Sequence, residues 1–142
     1  MSLNAPYEDD NVFAKILRGE LPCTKVYEDS ESLSFMDLFP QSRGHCLVIA
    51  KAPSVNLLDA DEGTLEVIVH RVQKVARAVK KAFSPDGIRI AQFNGAPAGQ
   101  TVFHLHFHIV PVYEGKSMAG HGSGQASPEE LEEAASLIRA AL

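Results

Sequence analysis

Cysteine is scarce in this 142-residue chain: Cys23 and Cys46 are the two, and they form no Cys-x-x-Cys pair. Two thiols are too few for the disulfide framework of a small secreted domain, so both are expected to be reduced, in a reducing compartment. Long apolar runs are missing as well. No stretch approaches 18 consecutive apolar residues, which argues against a membrane-spanning helix, and the acidic opening MSLNAPYEDD carries no apolar signal-peptide region. A cytoplasmic location is the expectation. Positive charge is in deficit too: 13 Lys and Arg stand against 18 Asp and Glu, a formal charge of -5, the wrong sign for a protein that grips nucleic acid by neutralising phosphates. No internal repeat is visible. What remains is the profile of one soluble globular domain, with 45% hydrophobic and 22% charged residues. A chain of this length buries roughly 68% of its unfolded surface, so its core needs neither disulfide nor metal.

Periodicity divides the chain. Residues 1–10 are polar and aperiodic and read as a flexible arm. Val12, Phe13, Ile16 and Leu17 recur at helical spacing, and Gly19 and Pro22 close that short helix. Thr24 to Glu28 and Leu33 to Met36 flank the turn-prone Asp29-Ser30 and predict an antiparallel hairpin. His45 to Ala50 reads as a third, well-buried strand. A helix of about five turns follows over Thr64 to Phe83, with Leu65, Ile68, Val69, Val72, Val75, Val79 and Phe83 on one stripe. Ile88 to Phe93 predicts a fourth strand, the segment from Asn94 to Gly99 a loop, and Thr101 to Val112 a fifth strand. Residues 114–126 are glycine-rich and read as a connector. Ser127, Pro128 and Glu130 then supply a cap, a first-turn proline and an N3 acid for a helix over 127–142.

The informative stretch is VFHLHFHIV. On a strand, successive side chains point to opposite faces, so Phe103, Leu105, Phe107 and Ile109 form an apolar face and His104, His106 and His108 the other. A solvated strand face normally carries Lys, Thr or Glu. Three imidazoles in a row could be satisfied structural histidines, although a tag would not alternate with large apolar residues. Metal binding is a second reading, but at ~3.4 Å per residue His104 and His108 lie ~13.5 Å apart, so one ion would take two of them plus His45 and a carboxylate. A third is covalent catalysis: a neutral imidazole attacks an electrophile such as phosphorus while its neighbours bind charge and move protons. Bases ~6.8 Å apart can track a phosphate ester, its leaving group and its ribose. The loop from Gly95 to Gly99, with Gln100 and Thr101 after it, lets backbone N–H groups approach an anion.

These residues resemble the histidine triad (HIT) superfamily of nucleotide hydrolases and transferases, whose motif is His-φ-His-φ-His-φ-φ with φ apolar. His104-Leu105-His106-Phe107-His108-Ile109-Val110 matches it throughout. Val12-Phe13 with Ile16, Phe35-Met36-Asp37, Gly44-His45 before Leu47-Val48-Ile49, and Asn94 with Gly99-Gln100-Thr101 are similar to further family landmarks in the same order, so the likeness spans residues 11–113. It is nearest to the Hint-like branch and bacterial HIT proteins. The resemblance implies an α+β, HIT-like fold: a five-stranded antiparallel sheet with one long and one short helix, here with an added C-terminal helix. It also implies a homodimer paired through the long helix and a sheet edge.

The implied chemistry is cleavage at the α-phosphate of purine nucleoside phosphoramidates or related conjugates of AMP or GMP, through a covalent nucleotidyl-histidine intermediate. His106 is the implied nucleophile, with His104, His108 and His45 around the phosphate. Asp37 is implied at the ribose hydroxyls, Val12, Phe13, Ile16 and Phe35 at the base, and Asn94, Gly99, Gln100 and Thr101 at the phosphate and leaving group. No cofactor is implied. By the same likeness Asn11, Ala14 and Ser54 stand where many bacterial relatives place two cysteines and a histidine around a structural zinc, so no metal is expected. Core packing is the commoner fate of residues such as Val12, Phe13 and Ile16. Asp37 between Met36 and Leu38 is harder to dismiss, because a carboxylate among apolar residues needs a partner. A nucleotide-binding or interaction module with incidental turnover, or a His-ligated metal hydrolase, is the alternative. An ordinary imidazole loses its neutral form below about pH 6, where the reaction is expected to slow. His70, off the apolar stripe, and His121, in the connector, are assigned no role.

Overall fold

A computed structural model describes residues 3–118 and 124–142. In chain order its elements are α1 (Val12–Leu17), β1 (Lys25–Glu28), β2 (Ser32–Met36), β3 (Cys46–Ala50), α2 (Glu62–Phe83), β4 (Gly87–Ala91), β5 (His106–Val112) and α3 (Pro128–Ala141). A turn of 3-10 helix, Ala96–Ala98, lies between β4 and β5. The strands form one five-stranded sheet in the order β1-β2-β3-β5-β4, every neighbouring pair antiparallel. The architecture is the α+β one expected. No helix among the described residues is long and apolar enough to cross a membrane. Part of the 114–126 connector, residues 119–123 with His121, lies outside the described residues.

The β1–β2 hairpin is closed by one side chain. Asp29 Oδ1 accepts the backbone N–H groups of Glu31 (2.9 Å) and Ser32 (2.8 Å), while Tyr27 Oη donates to Oδ2 at 2.9 Å and Arg71 of α2 pairs with the same oxygen. A carboxylate that satisfies its own turn is a common device for Asp.

Apolar residues cover both faces of the sheet. Against one face lie α2, through Ile68, Val72, Val75 and Val79, and α3, through Leu131, Ala134, Ala135 and Ile138, with Cys46, Val48, Leu105, Phe107 and Ile109 beneath them. Against the other lies α1, where Phe13 meets Leu33, Phe35, Leu47 and Ile49. β3 feeds both clusters in alternation, so Cys46–Ala50 is an unbroken apolar run rather than an alternating one. Burying a side chain such as Ile68 or Val75 contributes roughly 1.5–3 kcal/mol. The C-terminal helix is thus part of the main core; Ser127 Oγ caps it by accepting Glu130 N–H at 3.2 Å. Val69 departs from expectation, being 56% exposed: it lies about 100° round the helix from Ile68, outside the strip that the sheet covers. α2 ends where Ser84 turns left-handed (φ 46°) and bonds Lys80 O at 3.0 Å, ahead of Pro85.

Two strand boundaries are corrected by the structure. The fifth strand begins at His106 rather than Thr101, because Leu105 N–H leaves the ladder and donates to Ser54 O at 2.9 Å. His104 therefore precedes the strand, and only His106 and His108 share its face. The fourth strand stops at Ala91 rather than Phe93, where the Gln92 and Asn94 side chains bond each other at 2.9 Å instead of extending the sheet.

Candidate active site

β3 and β5 position the imidazoles. His106 pairs with Ile49 and His108 with Leu47, so both rings lie on the α1 side of the sheet. His106 Nδ1 is 2.6 Å from the backbone oxygen of His104. A carbonyl oxygen only accepts, so the proton of neutral His106 sits on Nδ1 and its lone pair on Nε2. The Phe13 ring meets His106 edge to face, centroids 4.8 Å apart, and the His108 ring centroid lies 5.1 Å away. The ring is held by a hydrogen bond along its edge and by packing against these two rings.

His104 is fully buried and uses both nitrogens: Nε2 lies 2.6 Å from Ala50 O and Nδ1 2.7 Å from Tyr7 Oη. Burial lowers its pKa below that of an ordinary imidazole, and the bond to Ala50 O opposes this only in part. His45 is also fully buried, and its Nδ1 accepts the backbone N–H of Gln41 at 3.0 Å. Its Nε2 lies 3.0 Å from His108 Nδ1 and 3.3 Å from Asp37 Oδ2. The partner that Asp37 demands is thus found in His45, with Phe39 N–H donating to its other oxygen at 2.8 Å.

Asp37, His45 and His108 offer ligand atoms within 4.8 Å of one another. The donor chemistry does not suit a cation. Gln41 N–H occupies the Nδ1 lone pair of His45, so the neutral ring carries its proton on Nε2, the atom that faces the cluster. Coordination there would require an imidazolate. Of the positions that the family likeness brings to mind for a metal, Asn11 Oδ1 caps α1 through Ala14 N–H at 2.9 Å, Ala14 offers no ligand atom, and Ser54 presents only a neutral, buried hydroxyl without a hydrogen-bond partner, a poor substitute for an imidazole or thiolate; His104 is held as described.

A cavity of about 260 Å³ opens beside His106 and His108. Val12, Phe13, Ile16 and Phe35 line it with apolar surface, and Asp37 and Thr101 line it too, with Pro22, Cys23 and Leu38. Eight of the residues singled out from the sequence converge here. Five others do not line it. His104 and His45 stand behind the two cavity histidines; Asn94 Oδ1 accepts Leu57 N–H at 3.1 Å, and Gly99 is the left-handed (φ 111°) end of the 3-10 turn. Gln100 is buried, donating to Val55 O at 2.7 Å and accepting Gly95 N–H at 2.8 Å, so its amide staples the glycine loop. A larger cavity, about 580 Å³ beside Arg43, Phe83, Tyr113 and Lys116, contains none of these histidines. Tyr7 is the residue that sequence reasoning missed: an aromatic in a polar arm was a faint signal, and nothing in the spacing tied it to a position 97 residues away.

Among solved structures, a Hit-like protein from Bartonella henselae, described as involved in cell-cycle regulation and bound to an unknown ligand, aligns with a TM-score of 0.90 at 52% identity, covering 96% of this chain and 100% of that one. Adenosine 5'-monophosphoramidase hnt1 of Schizosaccharomyces pombe is 37% identical over 122 residues, 84% of this chain and 89% of that protein. Adenylylsulfatase HINT3 of Arabidopsis thaliana is 39% identical over 107 residues, 75% of this chain and 54% of that protein. The HIT domain family matches residues 18–115, which contain the whole sheet and all three triad histidines, and this chain belongs to that family.

Proposed function

We propose that this protein is a nucleotide hydrolase or transferase that cleaves the bond between the α-phosphate of a purine nucleoside monophosphate and its leaving group through a covalent nucleotidyl-histidine. The observation that supports this most directly is the bond from His106 Nδ1 to His104 O, which leaves the lone pair of the neutral ring on Nε2, in a residue that lines a cavity of about 260 Å³. Nε2 forms a bond to phosphorus, the bond to the leaving group breaks with its electron pair, and that group takes a proton. The ring is cationic in the intermediate, and Nδ1–H to the His104 carbonyl strengthens as charge develops. Water then forms the new bond to phosphorus and gives up a proton to a neighbouring base, and the phosphorus–nitrogen bond breaks with its electron pair returning to Nε2.

Val12, Phe13, Ile16 and Phe35 suit a purine face, and Asp37 suits the ribose hydroxyls. Thr101 and the backbone of the loop held by Gln100 suit the phosphate and leaving group, with Asn94 and Gly99 shaping that loop. His45, His104 and His108 support charge and proton position. The activities by which the fission yeast and Arabidopsis relatives are named favour an AMP conjugate joined through nitrogen or sulfate. Exposed Val69 on α2 and Ile90 on the edge strand β4 favour a homodimer, and a cytoplasmic location fits the two unpaired thiols.

Intact-mass spectrometry of rapidly quenched protein mixed with an adenosine phosphoramidate tests the reading. Wild type gains the mass of one AMP and His106→Ala gains none while still binding AMP. Equal turnover by the two proteins removes His106 from the mechanism, and AMP binding with no turnover of any conjugate makes the chain a nucleotide-binding module.

A further inference from the structure

We propose that Tyr7 is a positioning residue: through the ring and carbonyl of His104, its hydroxyl fixes which nitrogen of His106 carries the proton. The chain of contacts is continuous. Ala50 O can only accept, so His104 Nε2 carries the proton of that neutral ring, and Nδ1 presents a lone pair to which Tyr7 Oη donates at 2.7 Å. The two rings also meet edge on, with centroids 5.6 Å apart. The carbonyl of the same residue then accepts His106 Nδ1–H at 2.6 Å.

Location makes this dependence strong. His104 lies in the irregular segment before β5, and β3–β5 pairing begins only at His106. The aim of the His104 carbonyl therefore rests on the Leu105 bond to Ser54 and on the two-point clamp of its own ring. A ring that is fully buried cannot replace Tyr7 with bulk water. Removing the hydroxyl orphans Nδ1, and the ring can answer only by rotating or by moving its proton, either of which shifts the carbonyl that orients His106. The N-terminal arm thus reaches the chemistry without touching the substrate cavity, which Tyr7 does not line.

The inference rests on the proposed role of His106, and its test separates the two. Nitrogen-15 NMR of the histidine rings, in wild type and Tyr7→Phe, is combined with steady-state kinetics on an adenosine phosphoramidate. Wild type gives His104 as the Nε2–H form and His106 as the Nδ1–H form. Tyr7→Phe moves the ring nitrogens of both residues and lowers kcat about 5- to 10-fold, with KM within about twofold, as expected for loss of one buried hydrogen bond that acts on orientation. Unchanged His106 nitrogens in Tyr7→Phe overturn the proposal, even if kcat or the melting temperature falls, because the residue is then only structural. Moved nitrogens with an unchanged kcat overturn the catalytic consequence. If wild type turns over no conjugate, the hydrolase reading fails, and the His106 nitrogen shifts still decide whether Tyr7 sets its proton.

Discussion

His45 Nε2 lies 3.0 Å from His108 Nδ1, and the backbone N–H of Gln41 occupies the opposite nitrogen of His45. Proton positions follow from that pair of distances. His45 donates from Nε2 and His108 receives at Nδ1, so the proton of neutral His108 is on Nε2. Asp37, 3.3 Å from His45, shares the same proton. A main-chain amide in the β2–β3 connection thereby sets the polarity of a side chain on β5.

His45→Ala leaves Gln41 N–H and His108 Nδ1 facing a void, and the fold is expected to lose about 3 kcal/mol in urea denaturation. A change within about 0.5 kcal/mol means that water or a neighbour replaces the ring, and the imposed polarity is then not structural.

The same proton argues against a resident cation among Asp37, His45 and His108. Dialysis against a strong chelator is expected to leave both turnover and the melting temperature unchanged; a loss restored by one divalent metal reverses that assignment.

Acid is expected to weaken the fold in two stages. His104 has its pKa lowered by burial, so the unfolded chain, near 6.5, binds a proton first; its stabilisation is complete above about pH 6.5 and is lost as pH falls through the lowered folded value. Burial of Asp29 alone would raise its pKa, but Glu31 N–H, Arg71, Tyr27 and Ser32 together hold it well below the carboxylate range. Its stabilisation is present above about pH 3.9 and is lost below that. Urea midpoints between pH 8 and 3 check both: His104→Gln is expected to flatten the upper stage and Asp29→Asn the lower, and midpoints of wild type that stay level from pH 7 to 5 contradict the first.

The thiols report on the cavity. Burial pushes Cys46 up to about 12, so an alkylating reagent is expected to reach it only after unfolding. Cys23 lines the cavity and is raised by burial, so it should react slowly in the native protein, and more slowly still when AMP is present. A Cys23 labelling rate indifferent to AMP removes the apolar cavity as the seat of the base.

Gly44, with φ +95°, precedes His45, and a Cβ there would lie 2.8 Å from the Phe83 ring. Gly44→Ala is expected to lose about 2 kcal/mol or more, and Phe83→Leu in the same chain to restore part of it. Additive losses, measured by thermal unfolding, rule out the clash.

Much of this was legible because the governing patterns are local. The stripe from Ile68 to Val79, the Ser127 cap and the alternation in the histidine strand are set by residues within a few positions of one another. Convergence of Val12, Phe13, Ile16, Phe35 and Asp37 on the His106 cavity was accessible only through family resemblance, since spacing does not say which apolar side faces a hollow. The start of the fifth strand was misread because its alternation continues through Phe103 and Leu105, whereas the ladder ends where Leu105 N–H finds Ser54, an acceptor far away in the sequence. Gln100 looked like a free donor, and its part in stapling Val55 to Gly95 is a tertiary fact. Tyr7 was hidden for the same reason.

The acceptor that orients His106 belongs to the main chain. Every residue type at position 104 supplies a carbonyl, so genetic substitution can shift this acceptor but cannot delete it. Side chains around the cavity can therefore diverge while the acceptor for His106 is inherited with the backbone, its aim still set by the clamp on the His104 ring. Weakening the acceptor itself calls for altered peptide chemistry, such as a thioamide installed at residue 104 by ligation, whose sulfur accepts less strongly than oxygen.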